Sequence, residues 1–280
     1  MEKPLITSLS NPLIKQARAL HHKKARRESG LFLVEGIHHV GEAVEAGWEV
    51  DSVLYAPELL TSKFARDLIS HLSAPSSPLR GSAHDRPDAF RGREPQLVSA
   101  QVMESLADKE NPQGILALVR QRQTRLEELH TMRCGVALVA PQDPGNVGTI
   151  LRTMDAVGAD VLFLLNGGVE LYHPTVVRSS MGTLFWKPIV QASFDEFVNW
   201  SRNSRSDGLQ LIGTSTHGDV DYQTLIPKTP WILIMGNEQK GLSKEQTLVC
   251  DVTVSLPMKG RVSSLNLAVA TGVLLYQYCK

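Results

Sequence analysis

Cysteine is scarce in this chain of 280 residues: Cys134, Cys250 and Cys279 are the only three. They form neither a metal-ligand spacing nor an even disulfide set, which excludes a disulfide-stapled scaffold, suits a reducing compartment and gives no reason to expect a metal. Long apolar runs are missing as well. No stretch reaches the roughly 18 to 20 residues a membrane span needs, and the apolar segment Leu265 to Tyr278 is interrupted by Asn266, Thr271 and Gln277. The first thirteen residues have neither the basic start nor the apolar middle of a secretory signal, so a cytoplasmic location is expected. Net charge is absent too, with 29 basic residues against 29 acidic ones, and this argues against a protein that coats nucleic acid indiscriminately.

The charge that is present is unevenly placed. The first thirty residues hold Lys3, Lys15, Arg18, Lys23, Lys24, Arg26 and Arg27 against Glu2 and Glu28. Leu13, Ile14, Ala17 and Leu20 give this segment an apolar stripe at helical spacing. The basic residues then share the other face, where Lys23, Lys24, Arg26 and Arg27 are candidates to follow an RNA phosphate backbone. A merely solvated helix face is the alternative.

Periodicity divides the chain into a first domain over 1–120, a linker over 121–133 and a second domain over 134–280. The first alternates strand and helix: Leu31 to Val34, Ile37 to Ala46, Val53 to Ala56, Leu59 to His71, then a strand, helix and strand ending at Ile115 to Val119. Residues 73–95 read as a long loop rich in proline, with Arg80, Arg86, Arg91 and Arg93. The second domain reads as strands at Val136 to Ala140, Val161 to Leu165, Leu209 to Gly213, Trp231 to Met235 and Val252 to Leu256. Short apolar strands alternating with helices imply a parallel α/β sheet covered on both faces, and such sheets place ligands at the carboxyl ends of their strands.

Three junctions of that kind carry polar residues. Pro144-Gly145-Asn146-Val147-Gly148 precedes a helix containing Arg152; Gly236-Asn237-Glu238-Gln239-Lys240-Gly241 follows an apolar strand; Pro257-Met258-Lys259-Gly260-Arg261-Val262-Ser263-Ser264-Leu265-Asn266 runs into the last helix. No Gly-x-Gly-x-x-Gly is present, and in Gly236 to Ser243 a leucine, Leu242, stands where a phosphate-binding loop requires lysine. Dinucleotide and nucleoside triphosphate readings both lose their main feature.

In order and wording these three segments resemble the motifs of the SpoU/TrmH family of RNA ribose 2′-O-methyltransferases. Phe32-Leu33-Val34-Glu35-Gly36 and Asn111-Pro112-Gln113-Gly114-Ile115-Leu116-Ala117 resemble the small α/β/α substrate-binding domain many members carry. The resemblance implies a C-terminal SPOUT domain with a deep trefoil knot, S-adenosylmethionine bound in the knotted loops, a homodimer, and RNA, ribosomal RNA in the first place, as substrate. Chain pattern alone predicts no knot, since threaded chains are very rare.

The resemblance also implies residue roles. Asn146, Arg152, Glu238, Ser264 and Asn266 match catalytic positions, and Thr214, Gly236, Leu256, Met258 and Leu265 match cofactor-binding ones. Arginine stays protonated up to a pKa above about 12, so Arg152 is expected to orient the ribose hydroxyl and neighbouring phosphate by charge, with Glu238 holding its guanidinium in a fixed fork. Arg178, Ser180 and Gly182 form a further family-like phrase without an assigned role, and Ala268 stands where many relatives have serine. A transferase acting on a base or on transfer RNA, and a ribosome-assembly protein without turnover, are the alternatives; the five catalytic-type residues argue against the last.

Overall fold

The computed structural model describes residues 4–73, 94–107, 112–129, 131–205, 208–216 and 218–280. The expected loop over 73–95, with its four arginines, lies almost wholly outside them. The chain divides into two units, Met1–Gln121 with Tyr172–Phe185, and Arg122–Leu171 with Trp186–Lys280.

In the first unit the basic segment forms two short helices. Asn11 caps α1 (Pro12–Ala19) by accepting from the Leu13 amide at 2.9 Å, with Pro12 at the first helical position. The second helix, α2 (Lys23–Ser29), ends at Gly30, whose φ of 67° a side chain would resist. Ile14, Ala17 and Leu20 are buried against Val102, Met103 and Leu106 of α5 (Ala100–Leu106) and against Leu116 and Leu118 of β4 (Ile115–Arg120). The sheet has the order β1-β4-β2-β3, with β1 (Leu31–Glu35), β2 (Val50–Tyr55) and β3 (Gln96–Leu97). β4 runs antiparallel to both β1 and β2, whereas β3 pairs with β2 in parallel. Helices α3 (Ile37–Glu45) and α4 (Lys63–Ser73) complete the run.

The first unit also contains a segment expected in the second domain. Tyr172 stacks obliquely on the fully buried Phe32, ring centroids 4.5 Å apart, and Trp48 Nε1 donates to the Phe185 carbonyl at 2.8 Å. Between them lies α7 (Pro174–Ser179), tied by His39 Nε2, which donates to the Arg178 carbonyl at 3.2 Å. Gly182 passes so close to α3 that a Cβ would meet Glu42 Cγ at 2.6 Å. The phrase Arg178, Ser180, Gly182 is therefore part of the packing of this unit. Buried apolar and aromatic contacts, each worth about 1.5–3 kcal/mol when complete, decide where the segment goes.

The second unit is a seven-stranded, wholly parallel sheet of order β7-β6-β5-β10-β8-β11-β9. Its strands are β5 (Cys134–Val139), β6 (Val161–Leu165), β7 (Ile189–Ala192), β8 (Gln210–Thr214), β9 (Val220–Asp221), β10 (Trp231–Met235) and β11 (Val252–Ser255). The five longer expected strands match these within two residues at either end. The edge strands β7 and β9, of four and two residues, are too short to stand out. Helices α6 (Pro144–Val157), α8 (Phe194–Arg205), α9 (Lys244–Thr247) and α10 (Leu267–Tyr278) connect and cover the sheet, and α10 packs along α6. The central strands are buried throughout, as expected for a sheet covered on both faces. The register pairs Met235 with Leu138 and Ile234 with Gly213, so the loops that follow β5, β10, β8 and β11 emerge side by side.

Candidate active site

The three polar junctions meet at the carboxyl ends of those neighbouring strands. After β5 the chain turns at Ala140, a non-glycine residue at φ 47°, a left-handed geometry that costs an L residue roughly 1–2 kcal/mol. The Ala140 amide donates to Leu165 at 2.8 Å, and its carbonyl accepts from Asn237 Nδ2 at 2.8 Å. Asp143 then caps α6 through the Gly145 amide at 2.7 Å, with Pro144 at the first helical position.

Glu238, in the turn after β10, reaches across to this loop. Its two carboxylate oxygens accept from the Gln142 amide at 3.1 and 3.0 Å, one of them accepts from the Asp143 amide at 3.3 Å, and the same oxygen faces Asn146 Nδ2 at 3.4 Å. Asn146 is buried, and its Oδ1 accepts from Asn266 Nδ2 at 2.9 Å. Asn266 Oδ1 in turn accepts from the Ala268 and Val269 amides at 2.9 and 3.3 Å, capping α10. The orientation of both amides follows from chemistry: an ionised carboxylate can only accept at one end, and backbone N–H groups can only donate at the other. One residue from each junction thus joins a single hydrogen-bonded line.

The expected fork between Glu238 and Arg152 is not formed. The carboxylate is occupied by the 142–146 loop, because two adjacent backbone amides and a carboxamide converge on it. Arg152 lies farther along α6, exposed, with no ion pair or hydrogen bond among the described residues. A guanidinium left in this way is available to an external anion.

Beside the relay is a cavity of about 710 Å³. Thr214, Gly236, Leu256, Met258 and Leu265, the expected cofactor contacts, all line it, together with Glu238, Ser264 and Asn266. Gly236 is required there: a Cβ would lie 2.2 Å from the Gly241 carbonyl carbon. Asn146 and Asn266 also border a more open depression formed by Thr149, Thr153, Val269, Val273 and Tyr276. Among the described residues no group of three or more His, Cys, Asp and Glu is placed to hold a metal ion.

The basic cluster needs one correction. Lys23, Lys24 and Arg27 are exposed, but Arg26 is only 1% exposed and donates from Nη1 to the Leu20 and His21 carbonyls at 2.7 and 2.9 Å. It ties α2 back to the end of α1 and is withdrawn from any phosphate. Sequence reasoning also missed Asn237. Its carboxamide serves both the turn it sits in and the loop after β5, and its only sequence signal is its place between Gly236 and Glu238.

Comparison with known proteins gives the family of both units. Residues 133–276 match the model of the SpoU rRNA Methylase family, and residues 11–117 match the MRM3-like substrate binding domain. The chain is 34% identical to the 23S rRNA (uridine(2479)-2′-O)-methyltransferase of Streptomyces viridochromogenes, covering 92% of this chain and 85% of that one. It is 29% identical to the 23S rRNA (guanosine(2553)-2′-O)-methyltransferase RlmP of Bacillus subtilis, covering 97% of each. Among solved structures it is similar to the SpoU methyltransferase AviRb from Streptomyces viridochromogenes in complex with the cofactor AdoMet. That match has a TM-score of 0.81 at 33% identity and covers 96% of this chain and 97% of that one. With family models matching 133–276 and 11–117 and the three junctions joined in one hydrogen-bonded line, the chain belongs to the SpoU rRNA Methylase family.

Proposed function

We propose that the protein is an S-adenosylmethionine-dependent methyltransferase acting on a ribose 2′-hydroxyl of ribosomal RNA. The observation that carries this reading is the hydrogen-bonded line Glu238–Asn146–Asn266 that joins the three junctions beside a cavity lined by the second and third of them, with an unengaged arginine on α6. The cavity suits the cofactor: its Leu256, Met258 and Leu265 offer apolar surface, Thr214 a hydroxyl, and Gly236 a close backbone approach. When bound, S-adenosylmethionine supplies an electrophilic methyl group on a sulfonium centre.

The remaining work falls to the chain. Arg152, always charged, draws the target ribose and its neighbouring phosphate toward the cavity and stabilises negative charge developing on the attacking oxygen. Asn146 and Asn266 set the N-terminal turn of α6, and hence the direction of Arg152, by their shared hydrogen bond. Glu238 fixes the loop that begins α6. Lys23, Lys24 and Arg27 contribute sequence-independent phosphate contacts.

In this reading the working form is a homodimer in the cytoplasm, and the loops after β10 and β11 form a deep trefoil knot around the cofactor. Val269, Val273 and Tyr276 support the dimer: they are 53%, 38% and 64% exposed, and their spacing gives α10 an apolar outer stripe. No helix among the described residues is long and apolar enough to cross a membrane.

Calorimetry with S-adenosylmethionine and ATP, followed by mapping of ribose methylation in ribosomal RNA with and without the protein, tests the proposal. Binding of the methionine-derived ligand and one protein-dependent 2′-O-methyl mark are expected. Binding of ATP alone, or an unchanged methylation pattern, would overturn it.

A further inference from the structure

Asn237 has no role in the methyl-transfer scheme above, yet its carboxamide makes three hydrogen bonds. Its Oδ1 accepts from the Gln239 and Lys240 amides at 3.0 and 3.2 Å, so both of its lone pairs are used within the turn. Its backbone exchanges a pair of hydrogen bonds with Gly241, at 3.2 and 2.8 Å. That leaves Nδ2, which is aimed at the carbonyl of Ala140. Ala140 is the residue held at φ 47°, at the point where the chain leaves β5 for the loop that presents Asn146 and, farther along α6, Arg152.

The two halves of this carboxamide therefore do different things. The oxygen shapes the turn after β10; the nitrogen holds the unfavourable backbone geometry after β5. Glu238, the next residue, grips the same loop two and three residues beyond Ala140, at Gln142 and Asp143. We infer that Asn237 is a positioning residue for methyl transfer: its Nδ2 latches Ala140 in the left-handed conformation and thereby sets the approach of Asn146 and Arg152. The inference rests on the functional reading above and deepens it, since a loop misplaced by about 1 Å costs on the order of a hundredfold in rate when geometry is the catalyst's contribution.

The chemistry of the side chain supplies its own test. Asn237→Asp keeps the two acceptors that shape the turn and removes the donor that faces Ala140. Asn237→Ala removes both. With the full-length protein, ribosomal RNA and S-adenosylmethionine, Asn237→Asp is expected to lower kcat by about tenfold or more while cofactor affinity stays within about threefold. Asn237→Ala should lose both. Ala140→Gly, which adopts the left-handed geometry without strain, should restore part of the kcat of Asn237→Asp. Hydrogen exchange at the Gln142 and Asp143 amides should rise in Asn237→Asp and fall back in the double variant.

An Asn237→Asp protein with unchanged kcat and unchanged exchange would overturn the inference. So would loss of cofactor affinity at retained kcat, which would make Asn237 a cofactor contact, or failure of Ala140→Gly to recover any rate. If the unaltered protein transfers no methyl group, the functional reading fails. The exchange measurement still decides whether the latch exists.

Discussion

Asn266 donates to Asn146 at 2.9 Å across 120 residues of sequence, and this one amide-to-amide bond couples the start of α10 to the start of α6. The same Asn266 side chain caps α10, so a single residue serves stability and site geometry at once.

Asn266→Ala should therefore lose both. The missing cap costs about 0.5–2 kcal/mol, and the buried Asn146 oxygen left without its donor adds roughly 1–3 kcal/mol. Asn266→Asp keeps the acceptor that caps the helix but cannot donate to Asn146. Thermal unfolding should show a clear drop for the alanine variant and a smaller one for the aspartate, with single-turnover methyl transfer impaired in both.

Arg152 is exposed and unengaged among the described residues, so Arg152→Ala should leave unfolding free energy within about 0.5 kcal/mol of the parent and cofactor binding unchanged. Methyl transfer should be abolished. Glu238→Gln, which retains an acceptor oxygen but weakens the grip on two amides, should reduce turnover less. Undiminished transfer by the Arg152 variant would remove that residue from the site.

The basic cluster separates into two behaviours. Replacing Lys23, Lys24 and Arg27 together by glutamine should weaken RNA binding and flatten its salt dependence, by a slope of up to about 0.7 to 0.9 for each phosphate that is no longer neutralised. Arg26→Ala should instead destabilise the fold, by about 2–3 kcal/mol, because two carbonyls lose a charged donor. Filter binding across a salt series, set beside denaturant unfolding, distinguishes the two.

Tyr278 gives a pH signature. Burial, reinforced by the charges of Asp221 and Tyr222, pushes its phenol up to about 12, and its hydroxyl has no hydrogen-bond partner among the described residues. A phenol with a pKa raised in the folded state favours folding in its protonated form. That advantage is intact below about 10, the unfolded value, and is lost as the pH climbs toward about 12. Tyr278→Phe should remove this part of the alkaline destabilisation and cost little at neutral pH. Unfolding midpoints measured across that interval would show the two curves converge as pH falls.

The central sheet was legible because strands buried on both faces read as continuous apolar runs; β5, β6 and β10 announce themselves that way, while β8 and β11 show shorter apolar cores flanked by polar residues. The junction residues were legible as residue types, but their connections were not. Nothing in the spacing says that Glu238 serves the loop before Asn146 and not the guanidinium of Arg152, since two of the three donors that meet it there are backbone amides without a sequence signature. Arg26 was misplaced for a related reason. In a run of basic residues the local pattern cannot distinguish the one whose helix turns it inward from its exposed neighbours. The break at His21 and His22, which makes that inward turn possible, carries neither proline nor glycine to mark it.

Tyr172 to Phe185 packs in the first unit although it is synthesised well after that unit's last strand. On the ribosome, β4 is complete by Arg120, but the partners of Phe32 and Trp48 have yet to be made. At roughly 5–20 residues per second, about 3–13 seconds separate the two events. During that interval the nascent first unit carries an open aromatic seam, and its closure waits for the second unit's first two strands to pass the exit tunnel. A fragment ending near residue 120 would keep that seam open permanently, so a separable substrate-binding piece must carry 172–185 with it.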